Sequence, residues 1–279
     1  MELQVLYQSS DSYAPLAGIS IESLLYNNQQ VETLHIYFLE DGISQSNKEK
    51  IEEIVHRYQR KISFFSLQPI QKILQNYELE PFKGSYATYC KLFAPSYLDL
   101  WEGRLLYIDC DTIIEDSIVP LWELEMGESV AACRLELISD EYKRLIHMPV
   151  EQLYYNAGVI LFDLNNWRKY HCEQSLLDVL RKDRVRYFTA DQDILNLVLG
   201  EKMMPLALRY NFPTTMLMFS PEEIYRIYDL HENRFYTIEQ MKKALDEPGI
   251  HHMGLYFGLR PWNGGEDHPQ RAVYEKISQ

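Results

Sequence analysis

The sequence predicts an α/β fold, a mainly parallel sheet flanked by helices with a less regular C-terminal lobe. Strand-like and helix-like segments alternate through the first seventy residues, and alternation at this length builds parallel strands joined by crossover helices. An apolar run, Leu105-Leu106-Tyr107-Ile108, ends abruptly in Asp109-Cys110-Asp111, the pattern of a buried central strand. Hydrophobic residues make up 46% of 279 residues, enough for a sizeable core without cross-links.

Leu3 to Tyr7 reads as a first strand, followed by the polar cluster Gln8-Ser9-Ser10-Asp11-Ser12. Pro15 to Tyr26 is an amphipathic helix with proline at its start, where the missing N–H costs nothing. Leu34 to Leu39 is a second strand, and Asn47 to Tyr58 a helix with Ile51, Ile54 and Val55 on one face. Lys61 to Leu67 is a third strand and Thr88 to Leu98 a helix. Arg104 to Ile108 is the central strand, with short buried strands at Val130 to Cys133 and Gly158 to Phe162. Helices are expected at Glu173 to Lys182 and Asp193 to Leu199. After Tyr210 the periodicity weakens and aromatics, proline and glycine become frequent, as in an irregular lobe packed on the sheet.

Lys and Arg number 27 against 41 Asp and Glu, a formal charge of −14. That balance excludes nucleic acid as the expected partner, because phosphate contacts need a basic surface. A phosphorylated substrate meets the same repulsion unless a divalent cation inverts the local field. The four cysteines, Cys90, Cys110, Cys133 and Cys172, form no CxxC pair and read as reduced, buried thiols. No apolar run approaches the length of a membrane span, and the N-terminus lacks the pattern of a secretion signal. The cytoplasm is the expected location.

Four clusters carry candidate chemistry. In an extended chain residues two apart share a side, so Asp109 and Asp111 can face one ion beyond the carboxyl end of a strand. Oxygen ligands suit Mg²⁺ or Mn²⁺. The bare D-x-D pattern also fits an acidic turn, and it recurs at Asp191-Gln192-Asp193. There one aspartate is expected to cap a helix while the other two side chains face a pocket. Tyr154-Tyr155-Asn156-Ala157-Gly158 places small residues where a backbone can approach a ligand, or where a turn enters a core strand. Near the C-terminus, Ile250-His251-His252-Met253-Gly254 could complete a metal site, with Arg260 on a phosphate.

In their joint order these segments resemble glycosyltransferase family 8, retaining transferases of the GT-A fold. The resemblance runs from Val5 to about Trp262. Its pieces are Ser10-Asp11-Ser12-Tyr13, Asp41-Gly42-Ile43-Ser44, Thr88-Tyr89-Cys90-Lys91-Leu92 and Leu106 to Asp111. Tyr155-Asn156-Ala157-Gly158-Val159, Asp191 to Asn196, and the histidine–glycine segment before Arg260-Pro261-Trp262 complete it.

The resemblance implies one GT-A domain over 1–279, with 1–200 as nucleotide-sugar core and 201–279 as acceptor lobe. It implies transfer of a hexose, glucose or galactose, from a UDP-sugar donor to a hydroxyl of a glycan, glycoprotein or lipid-linked acceptor. Asp109, Asp111 and a late histidine would bind Mn²⁺ or Mg²⁺. His251 fits the His-x-x-Gly spacing to Gly254, with His252 the alternative. Ser9, Ser10, Tyr13, Lys91, Cys110, Asn156, Ala157, Gly254 and Arg260 would contact the donor, Tyr13 by stacking on its base. Lys91, Asn156, Asp191 and Gln192 would attend the transfer itself. Ser10 stands where the family usually has an acid, Lys91 where arginine is common, and Arg260 replaces a lysine about three residues further from Gly254. Some relatives that use lipid acceptors carry a basic amphipathic extension. Here Lys276-Ile277-Ser278-Gln279 follow soon after Trp262, an argument against direct membrane attachment. Two other classes fit parts of the pattern. Haloacid-dehalogenase-type phosphatases share the Asp-x-Asp after a strand but need a downstream Gly-Asp-type motif, and none is found. A non-catalytic nucleotide-sugar-binding module would bind UDP without turnover.

Overall fold

A computed structural model describes residues 2–77, 81–82, 85–182 and 188–278. Its strands are β1 (Glu2–Ser10), β2 (Thr33–Asp41), β3 (Lys61–Ser66), β4 (Arg104–Ile108) and β5 (Thr112–Ile114), then β6 (Ala131–Leu135), β7 (Tyr155–Asp163), β8 (Met203–Pro205), β9 (Phe212–Pro213) and β10 (Ile250–His252). Seven of them form one sheet in the order β3-β2-β1-β4-β7-β6-β8, and β5-β10-β9 form a small second sheet. The β3-β2-β1-β4 half is parallel, β7 runs antiparallel between β4 and β6, and β8 lies parallel on β6. The expected mainly parallel α/β sheet is present.

The two faces of the sheet bury alternate residues, as a period of two requires. Leu3, Val5, Tyr7, Leu106 and Ile108 pack with Ala17 and Ile21 of helix Ala14–Tyr26 and with Ile51 and Val55 of helix Gln45–Arg57. Leu6, Leu105, Tyr107, Ile160 and Phe162 pack on the other face with Tyr89, Cys90, Leu92 and Trp167. All four cysteines are buried free thiols.

Several elements differ from the sequence reading. β1 runs on to Ser10, so the polar cluster Gln8-Ser9-Ser10 is strand and not loop; parallel pairing with β2 continues to Ser10 opposite Asp41 and satisfies its backbone. The helix expected at Thr88 to Leu98 tightens into a 3-10 turn at Lys91–Phe93 between Ala87–Cys90 and Ala94–Tyr97. The C-terminal portion is more regular than expected, with helices Pro221–Tyr228, Ile238–Asp246 and Arg271–Ser278. The first two begin with reciprocal capping boxes, Ser220 with Glu223 and Thr237 with Gln240, a local signal the periodicity argument passed over. Residues beyond 200 also supply β8 to the main sheet and β9 and β10 to the second. Among the described residues no helix is long and apolar enough to cross a membrane.

Candidate active site

Strand order creates the site. The chain winds outward from β1 through β2 to β3, then returns to place β4 on the other side of β1. A crevice opens beyond the carboxyl ends of strands at such a reversal. Gln8, Ser9 and Ser10 meet Asp109, Cys110 and Asp111 there, and Tyr13, Lys91 and Asp191 help line a cleft of ≈ 460 Å³.

Asp109 leaves β4 with its N–H donating to Gly158 O at 2.8 Å and its carbonyl accepting Thr112 Oγ1 at 2.8 Å. Its carboxylate accepts the Tyr107 hydroxyl and lies 3.7 Å from Lys91 Nζ. Asp111 O accepts the Met253 N–H at 2.9 Å, which pins the acidic turn to the end of β10. Its side chain spans two residues, with Oδ1 3.2 Å from His252 Nε2 and Oδ2 2.9 Å from Arg260 Nη1. Burial alone would raise the Asp111 pKa, but His252 and Arg260 outweigh it and hold the carboxyl below its ordinary value. Burial likewise opposes charge on His252, yet Asp111 and Asp109 prevail and raise its pKa.

Ligand atoms of Asp109, Asp111 and His252 all lie within 4.8 Å of one another. Two carboxylates and an imidazole suit a hard or borderline divalent cation. The resemblance favoured His251 with His252 as the alternative, and the histidine that the structure brings beside the two aspartates is His252. Successive residues of β10 point to opposite sides, and His251 turns into the core, where Nε2 meets Glu115 Oε2 at 2.8 Å and Nδ1 meets Gln270 Nε2 at 3.1 Å.

Lys91 is buried, with Nζ 2.8 Å from Asp191 Oδ2, 2.9 Å from Ala157 O and 4.6 Å from the Tyr107 ring centroid. Burial favours the neutral amine, but Asp109 and Asp191 more than offset it and the Lys91 pKa rises. Burial pushes the Asp191 carboxyl up to about 6 against the pull of Lys91. Neither aspartate of Asp191-Gln192-Asp193 is the N-cap of helix Asp191–Leu199; that position is Ala190. Asp193 is fully buried and accepts from Tyr154 Oη at 2.6 Å and Thr189 N at 2.9 Å. Of the two carboxylates only Asp191 reaches the cleft.

The remaining expected donor contacts divide. Ser9, Ser10, Tyr13 and Cys110 line the cleft, with Tyr13 47% exposed and available for stacking. Asp11 is not among the residues lining the cleft, and its Oδ1 accepts from Ser44 N and Asn47 Nδ2, each at 2.8 Å. Gly254 donates its N–H to Thr214 Oγ1 at 2.7 Å. Gln192 Oε1 accepts the Ala157 N–H at 3.1 Å, and Asn156 turns toward Glu136 and Asn211. Neither Gln192 nor Asn156 is among the residues lining the cleft. Glu136 and Asn211 were missed by the sequence reading. Both contact Asn156, from 20 and 55 residues away in the chain, and no local pattern marks them.

The profile described as "Glycosyl transferase family 8" matches residues 4–263. General stress protein A of Bacillus subtilis (strain 168) is 25% identical over 98% of this chain and 91% of its own length. Lipopolysaccharide 1,2-glucosyltransferase of Escherichia coli (strain K12) is 28% identical over 98% of this chain and 76% of its own. In fold, the galactosyltransferase LgtC, solved in complex with donor and acceptor sugar analogues, superposes with a TM-score of 0.76. It covers 99% of this chain and 95% of its own at 23% identity. The sheet order and flanking helices are those of the GT-A fold, and the chain belongs to glycosyl transferase family 8.

Proposed function

We propose that this glycosyltransferase moves a hexose from a UDP-sugar to an acceptor hydroxyl on a glycan, with retention at the anomeric carbon. The observation that carries the reading is the cluster Asp109, Asp111 and His252 on the rim of the crevice that Ser10, Tyr13 and Lys91 line. Those three residues would hold Mn²⁺ or Mg²⁺, which when bound supplies positive charge against the leaving diphosphate.

Tyr13 offers an aromatic face to the base, and Ser10 offers a hydroxyl to its edge. Lys91 keeps a fixed cation under the sugar side of the cleft, held by Asp191 and Asp109. Arg260 stands ready beside Asp111 to meet a phosphate oxygen. Gln192 is a weak nucleophile whose carboxamide oxygen is already engaged by Ala157 N. Attack on the same face as the departing phosphate is therefore the route to retention that these residues favour. The residues lining the cleft run from Gln8 to Asp191, so residues 1–200 would form the donor side and 201–279 the acceptor side. The similarity to a lipopolysaccharide glucosyltransferase makes a lipid-linked oligosaccharide the first acceptor to try. A cytoplasmic setting suits four buried free thiols.

The test is donor hydrolysis across UDP-, GDP- and CDP-hexoses with Mn²⁺, with chelator, and with Asp111→Asn. UDP-glucose or UDP-galactose should turn over only with metal, and the substitution should cost at least about 10²-fold, as for loss of a central electrostatic stabiliser. Undiminished turnover in chelator sinks the metal role. Release of phosphate from simple esters would instead favour the phosphatase reading.

A further inference from the structure

One nitrogen of His252 reaches the aspartates and the other is gripped from behind by a chain of side-chain amides whose polarity can be read from its fixed end. Asn156 Oδ1 accepts the Gly158 N–H at 2.9 Å, and a backbone amide can only donate. Asn156 Nδ2 donates to Glu136 Oε2 at 2.5 Å. That carboxylate is bound at 3.1 Å through each oxygen by Arg134 Nη2 and at 2.7 Å by Leu137 N. Burial opposes ionisation of Glu136, but Arg134 and these donors outweigh it and lower its pKa. Both ends therefore set one orientation for the Asn156 amide.

Asn211 inherits that orientation. It is fully buried, and its Nδ2 donates to Asn156 Oδ1 at 2.7 Å. Its Oδ1 is then the atom 2.9 Å from His252 Nδ1, so Nδ1 must carry a proton. In the neutral ring the lone pair falls on Nε2, 3.2 Å from Asp111 Oδ1 and 3.8 Å from Asp109 Oδ2. Gly158 completes the seat, since a Cβ there would stand 2.3 Å from His252 Cε1 and 2.7 Å from Nδ1.

We infer that Asn211 and Asn156, anchored by the Arg134–Glu136 pair and seated by Gly158, are positioning residues that fix the ring and tautomer of His252 and so present Nε2 to a divalent cation between Asp109 and Asp111. This rests on the metal reading above. It gives Asn156 a role through His252 beside the sugar contact that the resemblance implies. A ligand histidine whose other nitrogen donates to a fixed oxygen binds metal more tightly, and loss of that oxygen typically costs 10–100-fold in affinity.

The experiment has two arms. In metal-free wild-type protein, at a pH where the ring is neutral, long-range proton–nitrogen correlation should place the His252 proton on Nδ1; a proton on Nε2 overturns the inference. Mn²⁺ alone is then titrated by calorimetry into wild type, Asn211→Leu and His252→Ala. Asn211→Leu should bind about 10–100-fold more weakly, and its His252 proton should no longer be confined to Nδ1. Wild-type affinity in Asn211→Leu, with a loss in His252→Ala, overturns the positioning role and leaves the metal reading standing. Wild-type affinity in His252→Ala removes the metal reading itself. Should Asn211→Leu fail to fold, the wild-type tautomer decides the matter.

Discussion

Lys91 Nζ lies 2.8 Å from Asp191 Oδ2, and both residues are buried. Their partnership joins the 3-10 turn at Lys91–Phe93 to the start of helix Asp191–Leu199, more than ninety residues apart in the chain. Removing one member strands a charge in the interior, which typically costs about 3–5 kcal/mol. Lys91→Met should therefore destabilise the protein by roughly that amount in urea unfolding. Lys91→Met with Asp191→Leu should recover part of it while leaving transfer activity lost. A double variant no more stable than the single one would show that the pair is not the source of the cost.

The raised Asp191 carboxyl also sets a pH dependence of stability. Its value rises from 3.8 in the ordinary state to about 6 in the fold, so the native protein holds this proton more tightly than the unfolded chain. Between those two values the native state binds the extra proton, and stability falls as pH rises through the window. Urea unfolding of wild type and Asp191→Asn from pH 4 to pH 7 should show wild type losing ground to the variant up to about 6, then a constant difference. A difference independent of pH contradicts this.

The two adjacent histidines should separate by kind of effect. His252→Ala should weaken Mn²⁺ binding strongly with modest change in stability. His251→Ala should do the reverse, because its ring is buried between Glu115 and Gln270; loss of such a partner costs about 1–3 kcal/mol. Calorimetric titration with Mn²⁺ and thermal unfolding on each variant give the comparison, and equal metal affinity in the two variants would refute the assignment.

On the proposed reading, Arg260 would compete with a bound cation for Asp111. Its Nη1 sits 2.9 Å from Asp111 Oδ2, and its guanidinium lies 5.6 Å from the Trp262 ring centroid. Arg260→Met should tighten binding of Mn²⁺ alone, because a neighbouring positive charge is gone. The same change should lower kcat/KM for the sugar donor by about tenfold or more, the worth of one hydrogen bond to a charged group. Weaker Mn²⁺ binding in the variant would mean that Arg260 supports the site by some other means.

Base selectivity should answer to position 10. Ser10 Oγ contacts Ser12 Oγ at 3.1 Å and can both donate and accept. UDP should be preferred only modestly over CDP, and Ser10→Asp should sharpen the preference for the uracil imide. Tyr13→Ala should weaken all nucleotides alike, because stacking does not read the base. Competition binding with UDP, CDP and GDP checks both, and unchanged selectivity in Ser10→Asp removes Ser10 from the base pocket.

Local information in the chain was sufficient for the alternation that buries Leu106 and Ile108 on one face and Leu105 and Tyr107 on the other. It also pointed to Asp109 and Asp111 as a pair, though the reason differs: both lie in the turn beyond β4, held by Thr112 and Met253, and not in extended strand. The histidine was a different matter. Adjacent residues of a strand face opposite ways, so the choice between His251 and His252 turns on the register of β10 against β5, where His252 lies opposite Thr112. A slip of one residue would exchange the two. Register is settled by pairing with β5, over a hundred residues distant, and with β9, which spacing to Gly254 does not report. Asn211 and Glu136 lie wholly on that side of the divide: each is an ordinary polar residue in sequence, and only tertiary packing brings Asn211, in the 3-10 turn Leu208–Asn211, to His252 and joins Glu136 to it through Asn156.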